Sequence, residues 1–326
     1  MKSFAFAAVA GVATAVSVSE VEYMNYLARF NKFSNDIEEF NFRREIFEQF
    51  DKFVKTHNAS NASFKVGHNQ FSDWTQAEYK NILGYKRGEL DARKTTVTFE
   101  PTNADSINWV ELGAVTPVKD QGACGSCWAF SSTGSIEGAH FVSKGELLSF
   151  SEQQLVDCAF LAYGNFGCGG GLQTNAYNYY EDGHNAELES VYPYTAGDGS
   201  VISGTCQYDS LSQTAVTVSG FDNITPESID QMKAGLQKQP LAIAIEADTR
   251  AFQGYTSGVF DDVSCGTTLD HAVLAVGYGT ENGQDYWLVK NSWNTTWGDN
   301  GYIKIAQVAG PGICGVQLDP QIPYTN

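Results

Sequence analysis

The chain has 326 residues, 42% of them hydrophobic, with 20 basic and 38 acidic side chains and a net charge of −18. That length supports one or two globular domains with a substantial core. The acidic excess is confined to residues 103–326, where 7 basic groups stand against 25 acidic ones, while residues 1–102 carry 13 of each; such a surface favours solubility and disfavours nucleic acid and anionic lipid.

Residues 1–19 open with Lys2 and continue as an uncharged run rich in Ala, Val and Phe. Ala13-Thr14-Ala15 and Ser17-Val18-Ser19 are small-residue cleavage sites, so the stretch reads as a secretory signal peptide, too short and weakly flanked to span a membrane. No other segment is long and apolar enough to do so. All seven cysteines lie after residue 120. In a secretory chain that suggests three disulfides and one leftover thiol, with many pairings open.

Residues 20–102 read as a separate N-terminal unit. Glu38 to Asn58 has the spacing of an amphipathic helix, with apolar Phe40, Phe47, Phe50 and Val54. Residues 85–106 are polar and hold Lys86-Arg87 and Arg93-Lys94, which predicts a linker and processing region. The remainder, 103–326, divides near residue 213. Helices are expected at Cys127 to Val142, after the N-cap Ser151 with Gln154 three residues on, and at Leu172 to Tyr180. Strands are expected at Ala242 to Ile245, His271 to Val276, Tyr286 to Val289 and Tyr302 to Ile305, and Thr280 to Asp285 reads as a polar hairpin loop. The fold class is α+β.

Chemistry concentrates in Gln121-Gly122-Ala123-Cys124-Gly125-Ser126-Cys127-Trp128-Ala129-Phe130. Cys127 falls where a glycine-containing turn becomes a helix. The positive end of a helix dipole favours a thiolate there, and the thiolate is the nucleophile. His271 follows 144 residues later in Leu269-Asp270-His271-Ala272, and Asn291 precedes Ser292-Trp293. Hydrolysis through a thiol needs a thiolate, a proton shuttle, an orienting group and an oxyanion site. Scattered cysteines offer no second tight pair for zinc, and no cofactor is implied. His140 and His184 read as structural.

Together these motifs resemble the papain-like cysteine proteases, and within them the cathepsin L-like endopeptidases, over nearly the whole chain. The resemblance implies a helical subdomain facing a β-barrel-like subdomain, with the site between them. It implies Cys127 as nucleophile, His271 as base and acid, Asn291 holding the imidazole, Trp293 covering that bond and Gln121 donating to the oxyanion. It also implies disulfides Cys124–Cys168, Cys158–Cys206 and Cys265–Cys314, leaving Cys127 free.

The N-terminal unit partly matches the family's inhibitory propeptide. Glu39, Arg43, Phe47 and Asn58 fit its helix signature, while Phe50 and Val54 stand where Asn and Ile are usual. Gly67, Asn69, Phe71 and Asp73 fit the second motif. Substrate contacts carried over are Gly170 and Gly171 along the cleft, with Leu172, Ala244, Leu269 and Ala272 lining the pocket for the second residue upstream of the cut. Asp319 falls at that pocket's floor or points to solvent; at the floor it predicts tolerance for Arg or Lys beside hydrophobic residues. The same glycines equally suit a tight turn after Cys168.

Candidate glycosylation sequons begin at Asn58, Asn61, Asn223 and Asn294, the last replacing a glycine usual after Ser-Trp. The expected partners are protein and peptide substrates and the chain's own propeptide, acting on a monomer. The expected location is the secretory pathway, in a lysosome-like or digestive compartment or outside the cell.

Overall fold

The computed structural model describes residues 18–86, 96–200, 202–208 and 216–326. Most of the expected signal segment therefore lies outside the described residues, as do Arg87, Arg93 and Lys94 of the expected processing region.

The N-terminal unit is built on two helices, α1 (Val18–Arg29) and α2 (Ile37–Asn58). Asp36 caps α2 by accepting from the Glu38 N–H, and Glu38 and Glu39 place negative charge at its positive end. The buried face of α2 is Phe47 and Phe50. Tyr26 of α1 packs on Phe47 with ring centroids 4.9 Å apart. The sequence pattern gave no helix at α1, because its apolar face is made of tyrosines whose hydroxyls are bound elsewhere. Tyr26 donates to Asp73 Oδ1 at 3.0 Å. Asp73 also pairs with Lys32.

Asn58 ends α2 and bonds both main-chain groups of Val66, setting the start of β1 (Phe64–Val66). A reciprocal capping box between Thr75 and Glu78 opens α3 (Gln76–Asn81). Arg43 grips the Glu78 carboxylate with two nitrogens, each at 2.5 Å, and Glu39 at 2.7 Å. The non-consensus Phe50 is buried, and a Cβ added at Gly254 of the C-terminal part would meet its ring tip. The large side chain thus packs across to the neighbouring unit.

The segment expected to be a plain linker contains β2 (Thr96–Val97), and Gln231 holds both main-chain groups of Phe99. This pairing uses a partner far away in sequence, which local composition does not register.

The C-terminal part starts with β3 (Ile107–Asn108) and then α4 (Cys127–Lys144), which ends at left-handed Gly145, φ 73°. Every residue of α4 from Cys127 to His140 is buried, so it is the central helix and not a surface one. Helices α5 (Glu152–Cys158) and α6 (Gln173–Glu181) complete this half, and Ser151 caps α5 by accepting from Gln154 N–H.

The other half is strand-rich: β4 (Val218–Ile224), α7 (Ile229–Leu236), β5 (Leu241–Ile245), α8 (Arg250–Gly254), β6 (Tyr255–Phe260), β7 (His271–Glu281), β8 (Gln284–Lys290), β9 (Tyr302–Ala306) and β10 (Gln321–Thr325). The strand order is β1-β6-β9-β8-β7-β5-β10-β4-β2, with β3 on β7. Strands of the N-terminal unit, β1 and β2, thus close both ends of the sheet. The expected loop Thr280 to Asp285 shrinks to Asn282 and Gly283, both at positive φ, because Asn-Gly makes a two-residue hairpin turn matching strand twist.

Disulfides join Cys124 to Cys168, Cys158 to Cys206 and Cys265 to Cys314; Cys127 is free. No helix among the described residues is long and apolar enough to cross a membrane.

Candidate active site

Cys127 is the first residue of α4, preceded by Ser126, whose hydroxyl bonds not the helix but the Tyr194 hydroxyl at 2.7 Å. His271 is the first residue of β7. Main-chain N–H groups of Ala272, the residue after His271, and of Gly84 in the N-terminal unit act on the Cys127 thiol in favour of its ionised form. The helical half, the strand-rich half and the N-terminal unit therefore meet at this thiol.

His271 Nε2 lies 2.8 Å from Asn291 Oδ1. The Ser292 N–H donates to the same oxygen at 2.8 Å, which orients the Asn291 amide and makes Nε2 the donating nitrogen. Nδ1 is left for proton exchange. Trp293 stacks on the imidazole, centroids 4.5 Å apart and planes 26° from parallel. Beyond it, Phe71 and Tyr79 of the N-terminal unit meet Trp293 edge-on at 5.3 and 5.6 Å. Gln70 fastens the same turn, donating to the Trp293 carbonyl at 2.7 Å and accepting from Thr296.

Gln121 is completely buried. Its Oε1 accepts from Ser292 Oγ at 2.7 Å, so its Nε2 is turned to the Ile82 and Cys124 carbonyl oxygens, each at 2.8 Å.

In this covered form burial pushes the Cys127 thiol up to about 11, against the main-chain N–H groups around the sulfur, which act in the direction expected at a helix start. Burial also lowers His271 to about 4, against the opposing effect of the Asn291 bond.

The cover is the segment Ile82–Lys86. Gly171 N–H donates to the Gly84 carbonyl at 2.8 Å, Lys86 N–H to Gly171 at 3.1 Å, and Tyr85 N–H to the Asp270 carbonyl at 2.9 Å. A Cβ at Gly170, φ 109°, would sit 2.5 Å from the Gly84 oxygen and against the Lys86 side chain, so a passing backbone requires glycine there. Tyr85 shares one buried cluster with Leu172, Ala244, Leu269 and Ala272. Its hydroxyl donates to Asp319 Oδ2 at 2.5 Å, and Gln321 donates to the same oxygen at 3.0 Å. Ile82, Gly84, Tyr85, Gln70 and Tyr194 were not singled out from sequence; the one local signal was Gly84-Tyr85, an apolar–glycine pair heading a polar stretch.

His184 stacks on Tyr179 with Nδ1 2.7 Å from the Tyr179 carbonyl; His140 packs edge-on against Phe150. Of the sequon asparagines, Asn58 is tied to β1, Asn223 lies half-buried in β4, and Asn61 and Asn294 are exposed, the last at φ 62°. Among the described residues no cluster of three or more His, Cys, Asp or Glu side chains suits a metal ion.

A cleft between two unlike halves, with a cysteine on one, a histidine on the other and a chain segment laid across both, defines the precursor of a thiol protease. The pattern of the papain family cysteine proteases matches residues 101–324, and that of the cathepsin propeptide inhibitor domain matches residues 23–79. The chain is 41% identical over 316 residues to digestive cysteine proteinase 1 of Homarus americanus, covering 95% of this chain and 96% of that protein. It is 41% identical over 320 residues to cathepsin L of Sarcophaga peregrina, covering 93% and 92%. Among solved structures, digestive procathepsin L2 from the larval midgut of Tenebrio molitor superposes with a TM-score of 0.86 at 34% identity, covering 94% of this chain and 99% of that one. The chain belongs to the papain family of cysteine proteases, in its cathepsin L-like branch, and carries the family's propeptide inhibitor domain.

Proposed function

We propose that this protease is a secretory-pathway endopeptidase in which Cys127 attacks the peptide carbonyl, His271 takes the thiol proton and returns it to the leaving amine, and Asn291 orients His271 under Trp293. Gln121 Nε2 donates to the oxyanion beside the Cys127 N–H. Residues 1–19 act as signal peptide, 20–102 as inhibitory propeptide and 103–326 as the mature, monomeric enzyme. Gly170 and Gly171 pair with the substrate backbone. Leu172, Ala244, Leu269, Ala272 and Asp319 form the pocket for the second residue upstream of the cut, taking hydrophobic side chains and also Arg or Lys.

One observation carries this reading: the Gln121 amide that would bind an oxyanion holds a carbonyl oxygen of the propeptide at 2.8 Å, in a chain segment paired to Gly171 like a ligand. The three disulfides support the secretory assignment. The test is hydrolysis of dye-linked Phe-Arg and Arg-Arg dipeptides after acid activation. Wild type should cleave, and Cys127→Ser should be inert. A fully processed wild type without activity overturns the reading.

A further inference from the structure

We propose that the pocket ending at Asp319 is selective for tyrosine as the second residue upstream of the cut, an inference that rests on the catalytic reading above for the naming of that position. The pocket already has an occupant in the structure, and it is a tyrosine. Tyr85 is held by its main chain on both sides of the cleft, through Asp270 and the bonds of its neighbours to Gly171. Its ring is 5% exposed and lies in the cluster containing Leu172, Ala244, Leu269 and Ala272. Its hydroxyl reaches Asp319 Oδ2 at 2.5 Å, the length of a strong charge-assisted bond. Asp319 is held for this role by Gln321, which donates to the same oxygen at 3.0 Å.

The pocket thus combines a ring-sized apolar wall with an acceptor at the depth of a phenolic oxygen. Phenylalanine fills the wall and leaves the acceptor without that partner. A site built to bond a hydroxyl rejects the analogue lacking it more strongly than an apolar pocket rejects a missing methylene. Arginine supplies a donor but replaces the ring with a flexible chain, which costs rotamer freedom on binding. The expected order is tyrosine above phenylalanine and arginine.

The experiment compares kcat/KM for dye-linked Tyr-Arg, Phe-Arg and Arg-Arg with the processed enzyme, its Asp319→Ala and its Asp319→Asn variants. Wild type should favour Tyr-Arg over Phe-Arg by about tenfold, the size of one hydrogen bond to a charged group. Asp319→Ala should bring the two together by lowering Tyr-Arg more than Phe-Arg, with the circular dichroism spectrum and thermal midpoint of the processed variant reporting an intact fold. Asp319→Asn, which keeps an acceptor oxygen but no charge, should retain part of the Tyr preference while losing Arg-Arg. Equal wild-type rates for Tyr-Arg and Phe-Arg, or a ratio untouched by Asp319→Ala, overturns the proposal. If none of the three is hydrolysed, the catalytic reading fails separately. Calorimetric titration of the processed protein with uncleavable N-methylamide analogues then still decides the pocket: tighter binding of the Tyr analogue sustains the proposal and equal affinity overturns it.

Discussion

Gln121 Nε2 and the Ile82 carbonyl oxygen are 2.8 Å apart, so one side chain serves the latent form and, in the proposed mechanism, the transition state. Gln121→Ala therefore has two expected effects. In the processed enzyme it removes an oxyanion donor, lowering kcat by about 10²–10³-fold, or about 3–4 kcal/mol. Alkylation of Cys127 by iodoacetamide, which forms no oxyanion, should keep its rate. In the precursor it deletes a propeptide bond and should speed alkylation. A kcat within twofold of wild type would remove Gln121 from the mechanism.

Gly84 lies directly against Gly125 in the nucleophile turn, and a Cβ on Gly84 would collide with the Gly125 carbonyl. Gly84→Ala should lift the propeptide off the cleft. Overpacking costs about 1–3 kcal/mol, or about 5- to 150-fold in the population of the open form. At neutral pH, a thiol-reactive label should reach Cys127 in the variant precursor faster by that factor. Labelling no faster than in wild type would place the segment elsewhere.

Two histidines make the closed precursor less favourable in acid. Burial lowers His271 from 6.5 to about 4 and also lowers His68, which packs on Phe47 and bonds Asp51 at 3.2 Å. A cation disfavoured in the closed form stabilises that form above pH 6.5, and the contribution is lost as pH falls from 6.5 toward 4. Asp270, raised from 3.8 to about 7 by burial, works in the opposite sense over the same range and offsets His271, so the contribution to test is that of His68. Glu78, held down to about 2 by Arg43, adds a loss only below pH 4.5. Cys127, raised from 9 to about 11, costs the closed form stability on the alkaline side. Activation followed by labelling should speed up in wild type relative to His68→Gln as pH falls from 6.5 to 4. A ratio of the two rates that is flat across this interval contradicts the assignment.

Most of this architecture was readable because its signals are local. The α2 periodicity, the helix-compatible run from Cys127, the Ser151 cap and the strand run beginning at His271 each lie within a few residues. The cysteine, histidine and asparagine motifs are local too, although the site they form is not. What escaped reading depends on distant partners. Helix α1 has Tyr23 and Tyr26 where an apolar stripe would carry Leu, and their hydroxyls are explained by Asp73 and, for Tyr26, the Gln70 carbonyl. Strands β1 and β2 are three and two residues long and exist because β6 and β4 offer edges. The thiol's upward shift was illegible from α4 alone, since the helix end favours ionisation and burial by residues distant in sequence opposes it.

The two halves of the mature part are also coupled by buried charge, which gives a stability prediction separate from the cleft. Lys119 Nζ is 2.6 Å from Glu152 Oε1 on α5, 3.1 Å from Glu137 Oε1 on α4 and 2.9 Å from the Phe150 carbonyl. Glu137 in turn accepts from Thr116, whose carbonyl accepts from Lys290 of β8 at 2.7 Å. Removing one partner of such a group leaves charges buried without compensation, at about 3–5 kcal/mol. Lys119→Met keeps the side-chain length and removes the ammonium, so the thermal midpoint should fall accordingly at pH 8. The loss should shrink in acid. Burial already raises Glu152 from 4.5 to about 7 with Lys119 present, and without it the carboxyl takes up its proton more readily still. A raised carboxyl destabilises the fold only where the unfolded chain is ionised, above pH 4.5, and the penalty grows as pH rises through the folded-state value. The variant should therefore approach wild-type stability near pH 4, and an equal deficit at both pH values would show that Lys119 acts through packing and not through charge.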